Sequence, residues 1–331
     1  MYAAILASAF DAAHMRFLLQ NAIDALALGS LYALFGLGIA LIFGIMQLIN
    51  FAYGELMMVA GYALVVMGHP PWPLLLSATV VVAVLFALAM ERVAFRPVRG
   101  ANPSTLLITS FAVSFLLQNV AVATFGALPR GVNISTSILR PFEIGSIVIP
   151  RIDVLIVGVV AVLLVALALF LSKTTIGVQM RASAENFGMA RILGVRANVV
   201  IAVAFAISGV LASTSAVLLV LQTGSVSPTL GVQPVLVAFI ATVLGGMGSL
   251  RGAVLGGLLL GIVTVALQAY LPLELRYYRD AFAYGSVIVV LLLRFGRRVR
   301  SAALHLLHAP QLESAPLRGA TSQGLTLARP R

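Results

Sequence analysis

Apolar residues in this chain fall in long unbroken runs separated by short polar or basic stretches, with neither strand-like alternation nor a heptad rhythm. A bilayer core takes about 20 mostly apolar residues per helix. On that criterion the runs predict spans near residues 19–43, 51–67, 74–95, 105–125, 154–171, 199–221, 232–247, 253–271 and 281–295. The expected fold class is therefore an all-α polytopic membrane protein, a bundle of about nine transmembrane helices with eight to ten allowed. An N-terminal segment, 1–18, precedes the transmembrane domain, 19–295. Residues 172–198 form a long polar loop within it, and 296–331 read as a basic tail without packed structure. Ahead of that loop, within an outer segment 129–151, residues 144–149 are short, β-branched and bounded by Gly145 and Pro150, which predicts a small extended excursion.

Basic residues set the orientation. One set of loops carries Arg92, Arg96 and Arg99, then Lys173, Arg181, Arg191 and Arg196, then Arg251, then Arg294, Arg297, Arg298 and Arg300. The alternate loops carry Arg130, Arg140, Arg151, Arg276 and Arg279, offset by Glu143, Asp153, Glu274 and Asp280. The positive-inside rule makes the first set cytoplasmic and the C-terminus with it. Nine spans then place the N-terminus outside, and a tenth element near the start reverses only that terminus.

Composition agrees with the pattern and removes other functions. Hydrophobic residues make up 61% of the chain and charged residues only 9%, against about 25% charged in soluble domains. The net charge of +11 is dispersed among the loops and forms no single patch, so nucleic acid is not an expected partner. There is no cysteine, and the four histidines, His14, His69, His305 and His308, are scattered. No metal site, thiol chemistry or cofactor is expected. The first 16 residues lack a basic start and are broken at Asp11, unlike a cleaved signal peptide. No G-x-x-x-x-G-K-[ST], G-x-S-x-G or H-E-x-x-H occurs. The chain is not expected to be an enzyme, and any ATP that drives it must be hydrolysed on another subunit.

Polar and glycine clusters supply the candidate sites. In the long loop, helical spacing puts Ala184, Gly188 and Arg191 on one face and Met189, Ile192 and Leu193 on the other. Such a helix fits a cleft on a cytoplasmic partner; a surface helix that merely joins two spans has the same pattern. Gly248, Gly252 and Gly256 have the four-residue spacing that lets transmembrane backbones touch, and Gly29, Ala33, Gly36 and Ala40 form a similar stripe. Packing is the plainer reading of these, within the bundle or against a second copy, rather than a phosphate or ion loop. Glu55, after Asn50 in the segment NFAYGEL, costs roughly 2.5–3.5 kcal/mol at bilayer centre and so faces protein or water. A proton or cation relay uses such a residue, as does a plain tie between helices. Gln118 with Asn119, and Gln222 with Ser225 and Ser227, line a passage or glue helices together.

Several stretches together resemble one family. They are ALGSLY at 27–32, GIALIF at 38–43, NFAYGEL at 50–56, ERVAFRPVRG at 91–100, residues 180–194, SVSPTLG at 225–231 and ATVLGGMGSLRGAVLGG at 241–257. In order and number they resemble the permease subunits of branched-chain amino-acid ABC transporters, the LivH/LivM type, and lie nearer the LivH half. Arg251 departs from the family, standing where proline is frequent. The resemblance implies a bacterial inner-membrane importer. In it a periplasmic binding protein delivers a hydrophobic amino acid, two permease chains, identical or different, form the passage, and two cytoplasmic ATPases drive it. It also implies that Ala184, Glu185, Asn186, Gly188, Arg191 and Gly194 couple to those ATPases. Related permeases serve urea, short amides or aromatic acids. The rival reading is a stand-alone cation-coupled secondary transporter using Glu55; a passive channel lacks the polar ring it requires.

Overall fold

The computed structural model describes residues 2–47, 49–68, 71–132, 142–144, 147–287 and 289. Ten α-helices account for most of them: α1 Tyr2–Met46, α2 Tyr53–Met67, α3 Trp72–Met90, α4 Pro103–Phe125, α5 Arg151–Lys173, α6 Thr175–Glu185, α7 Phe187–Ile192, α8 Ala197–Thr223, α9 Val232–Gly245 and α10 Leu250–Tyr270. A π-turn, Glu91–Phe95, continues α3. Residues 279–287 are again helical. The remainder of the expected ninth span and the basic tail lie outside the described residues, as does part of the outer excursion. Within that excursion β2 (Phe142–Ile144) and β3 (Ile147–Ile149) pair antiparallel, and β1 (Arg130–Gly131) pairs with β4 (Ser225–Val226).

Six of these segments are long and apolar enough to cross a membrane: Met15–Met46, Trp72–Phe95, Pro103–Phe125, Arg151–Lys173, Ala197–Thr223 and Leu250–Tyr270. Prolines near the starts of α3 and α4 suit a first turn whose N–H groups have no partner in any case. The first helix is unbroken from Tyr2 to Met46. Two other expected spans differ from expectation. α2 has 15 residues and α9 has 14, about 22 and 21 Å at 1.5 Å per residue, against a hydrocarbon core of about 30 Å. Neither helix reaches that length by itself.

Both short helices start inside the bundle, after an unwound stretch. Past Met46 the chain reverses at Gln47, whose φ is 52°, and climbs back so that Tyr53 packs on Gly38, where a Cβ would collide with the tyrosine hydroxyl. Gly38 lies eight residues before the end of α1, about 12 Å back along it. From the other end, residues 224–231 descend past Gly61, whose neighbours are Leu230 and Val226, and deliver Gly231 onto Gly54. A Cβ on Gly54 would overlap the carbonyl of Gly231, and one on Gly231 would overlap that of Gly54. The two short helices therefore meet backbone to backbone near their starts. The order of elements repeats: long helix, unwound stretch, short helix, long helix, first as α1–α2–α3 and then as α8–α9–α10. Packing follows the same exchange, with α1 against α9 and α10, α8 against α2 and α3, and α1 against α8. The same order of helix lengths and the same exchange of packing partners thus recur in the two halves.

Burial shows which helices are central. The apolar window of α1 is 78% buried and that of α8 61%, whereas those of α5 and α4 are 22% and 17% buried. Hydroxyls tie the centre together: Ser208 donates to the Gly38 carbonyl at 3.2 Å, and Thr242 to that of Gly36 at 3.3 Å. The α3–α5 flank turns most of its apolar surface outward.

Candidate functional site

Asn50 is fully buried and makes the turn into α2: its side-chain oxygen accepts from the Ala52 N–H at 3.1 Å, and its carbonyl from the Tyr53 N–H at 3.2 Å. Glu55, 1% exposed, lies in the first turn of α2. Its Oε1 accepts from Ser114 Oγ at 2.7 Å and from Gln118 Nε2 at 2.8 Å, while Gln118 also donates to Ser114 at 3.1 Å. These three side chains join α2 to α4. One turn below, Phe51 stacks on Phe111 of α4 with ring centroids 4.4 Å apart. Asn119 is not part of the group: it is exposed and bonds back to the Phe115 carbonyl of its own helix at 2.7 Å. Ser114 lacked any sequence signal beyond its position one turn before Gln118.

Gln222 and Ser227 meet elsewhere, in a cleft of about 750 Å³ at the end of the bundle remote from the basic loops. Its apolar floor comes from α1 and α9 (Leu31, Phe35, Leu236), and its polar rim includes Tyr32, Gln233, Asp280 and Tyr284. Asp280 is held on both oxygens, by Arg279 Nε at 3.0 Å and by Gln233 Nε2 at 3.1 Å. Gln233 and Asp280 were not singled out from sequence; a lone amide at a helix start and an acid among loop charges give no warning that they meet.

The basic end carries α6 and α7. Thr174 caps α6, accepting from the Gly177 N–H at 2.9 Å, and Asn186 caps α7, accepting from the Met189 N–H at 2.9 Å. The single helix expected across 184–191 is thus two, broken at Asn186, where φ and ψ are −153° and 98°. The break separates residues expected to share a face. Ala184 stays half-buried on α6, 4.0 Å from where a Gly44 Cβ would stand, in a crevice it shares with Arg181, Glu185, Gly248 and Arg251. Gly188 and Arg191 are exposed on α7 together with Met189, Ile192 and Leu193, the last two 81% and 77% exposed. Gly194, at φ +89°, ends α7 by donating to the Arg191 carbonyl at 3.1 Å.

Two further contacts join the long helices. Arg99 forms an ion pair with Glu91 and donates through Nη1 to Asn198 Oδ1 at 2.7 Å, bracing the end of α3 against the start of α8. Burial pulls the Arg99 guanidinium below its ordinary pKa, and the Glu91 carboxylate supplies the counter-charge. Of the glycine stripe, Gly252 fits against Gly245 and Gly256 against Ala241 of α9, whereas Gly257 and Gly261 fit against Ala33 and Gly29 of α1. Gly248 precedes the helix, in the turn, with φ +87°. Among the described residues no group of three or more His, Asp or Glu is placed to hold a metal ion.

Long helices around two half-length ones, with an amphipathic element at the basic end, define a multi-pass α-helical membrane protein of the transport class. The family model described as "branched-chain amino acid transport system / permease component" matches residues 21–292, and the chain belongs to that family. It is 36% identical over 293 residues to the high-affinity branched-chain amino acid transport system permease protein BraD of Pseudomonas aeruginosa, covering 83% of this chain and 94% of that one. It is 36% identical over 291 residues to LivH of Escherichia coli, covering 83% and 93%. To the probable LivH of Methanocaldococcus jannaschii it is 26% identical over 278 residues, covering 81% and 86%. No solved structure gives a significant match.

Proposed function

We propose that the chain is the membrane-spanning subunit of an ATP-driven importer for branched-chain, hydrophobic amino acids in a bacterial inner membrane. It pairs with a second permease, takes its solute from a periplasmic binding protein and is powered by two cytoplasmic ATPases. The observation that carries this reading is α7, a short capped helix at the basic end whose Met189, Ile192 and Leu193 lie open beside Arg191. Exposed apolar side chains on a basic element call for a protein partner, and the chain has no nucleotide-binding motif of its own. The basic end is the cytoplasmic one by charge, which puts the C-terminus inside and the 750 Å³ cleft outside, where a binding protein releases solute. That cleft joins an apolar floor to a polar rim, the chemistry of a zwitterion with an aliphatic side chain. Closure of the ATPases moves α6 and α7, and through the Ala184–Gly44 contact and the Arg99 brace the motion reaches α1, α3 and α8.

The test is Arg191→Glu combined with Gly188→Trp in the assembled transporter. The expected result is loss of ATPase co-purification with membrane insertion intact; unchanged co-purification and uptake would reject the docking role.

A further inference from the structure

On the flank of the bundle lies a groove of about 410 Å³, separate from the outer cleft and walled by α2, α3 and α4. Met58, Tyr62 and Met67 form one wall, Phe86 the back, and Leu117 and Phe125 the other wall. Along α2 it extends from Met58 to Met67, about 14 Å at 1.5 Å per residue, close to half of a hydrocarbon core about 30 Å thick. It therefore runs parallel to the spans for the depth of one leaflet. Its lower limit is the Glu55–Ser114–Gln118 tie. At the opposite end Phe125 stacks on Tyr62 with centroids 4.2 Å apart. There Arg130 stands 5.5 Å over the Phe125 ring, held by its Nε bond to the Phe125 carbonyl at 3.0 Å.

This combination selects its occupant. Water in so apolar a slot lacks the two to four polar partners it needs. An amino-acid zwitterion finds no charged group in the walls: the Thr124 hydroxyl is already bonded to the Val120 carbonyl at 2.8 Å, and the Tyr62 hydroxyl, buried without a partner among the described residues, is a single neutral group. What fits is a flexible hydrocarbon chain below a negative headgroup, with an exposed arginine at the rim. We propose that the groove binds an acyl chain of an anionic phospholipid whose phosphate rests on Arg130. The leaflet is the outer one, a point that rests on the orientation given above. The lipid fills the gap between α4 and the rest of the bundle, which α4 otherwise meets through the Glu55 tie and the Phe51 and Tyr62 stacks.

The experiment uses the complete transporter, purified and placed in nanodiscs of phosphatidylglycerol mixed with phosphatidylcholine, with co-retained lipid counted by native mass spectrometry. Wild type is expected to retain phosphatidylglycerol about fivefold over phosphatidylcholine, the effect of one basic residue at an anionic surface. Arg130→Gln is expected to equalise the two lipids, Arg130→Lys to keep most of the preference, and Ala121→Phe, which fills the groove, to abolish retention of both. Equal retention in wild type, or a preference that survives both Arg130→Gln and Ala121→Phe, overturns the proposal. So does disulfide cross-linking of Val120→Cys to the neighbouring permease, since a second chain then covers the groove. ATP-driven uptake is measured on the same preparations: equal retention of the two lipids by wild type with normal uptake defeats the lipid site alone and leaves the importer reading standing.

Discussion

Glu55 is buried in the first turn of α2 with one oxygen accepting two hydrogen bonds from α4. Two roles compete for it, and its partners separate them. A glutamine at this position presents the same acceptor to Ser114 and Gln118, so Glu55→Gln is expected to retain ATP-driven uptake and thermal stability in detergent. Glu55→Leu removes the acceptor and leaves two donors without a partner. Its expected cost is about 0.6–1.7 kcal/mol, the range for interhelical hydrogen bonds in membranes, read as a lowered melting temperature. Uptake abolished by Glu55→Gln at unchanged stability would instead make the carboxylate an ion carrier. A sharper residue-scale expectation concerns Gly54 and Gly231. A methyl at either overlaps the other's backbone, and overpacking against side chains already costs about 1–3 kcal/mol. Gly54→Ala is expected to lose folded protein on size-exclusion chromatography, whereas Gly100→Ala, with open space around it, elutes as wild type. That Glu55 must face protein or water was legible in NFAYGEL, because a bare carboxylate inside an apolar run is costly; which of the two it faces was not. Its particular partners were not, since Gln118 and Asn119 look alike in sequence and only helix phase directs one inward and the other out.

At the scale of elements, the long apolar runs correspond to six helices long and apolar enough to cross a membrane, at nearly the boundaries read from sequence. Two of the shorter runs, 51–67 and 232–247, fold as helices of only 15 and 14 residues, because an apolar run records burial as well as length across a bilayer. Their unwound approaches carried a signal in Asn50, Gly54, Pro228 and Gly231, residues that favour turns and close backbone contact. The α6–α7 break was also written in the chain: Asn186 is a preferred N-cap residue sitting three positions before Met189, whose N–H it accepts. Asn186→Ala is expected to cost about 1 kcal/mol of cap stability and to lower uptake per ATP hydrolysed, while Asn186→Ser restores both. An unchanged ratio of transport to hydrolysis would show that the orientation of α7 does not matter. Arg99→Gln breaks the brace between α3 and α8 and is expected to lower the same ratio with the ATPases still bound.

For the whole molecule, the order of elements in α1–α3 recurs in α8–α10, and the two half-helices meet at Gly54 and Gly231. No repeat is apparent in the residues themselves; what recurs is an order of helix lengths and a pattern of packing, which becomes visible once the chain is folded. On the proposed importer reading the bundle alternates between two arrangements, one open to each side, and needs a source of work to prefer one over the other. The sequence carries no P-loop motif, and in that reading the work enters through α6 and α7. Reconstitution into liposomes of the purified chain alone, and of the chain with its permease, ATPase and binding-protein partners, measures this by accumulation of labelled leucine. Accumulation is expected only in the complete assembly and only with ATP; concentration of leucine by the single chain in a proton or sodium gradient, without nucleotide, would contradict the account.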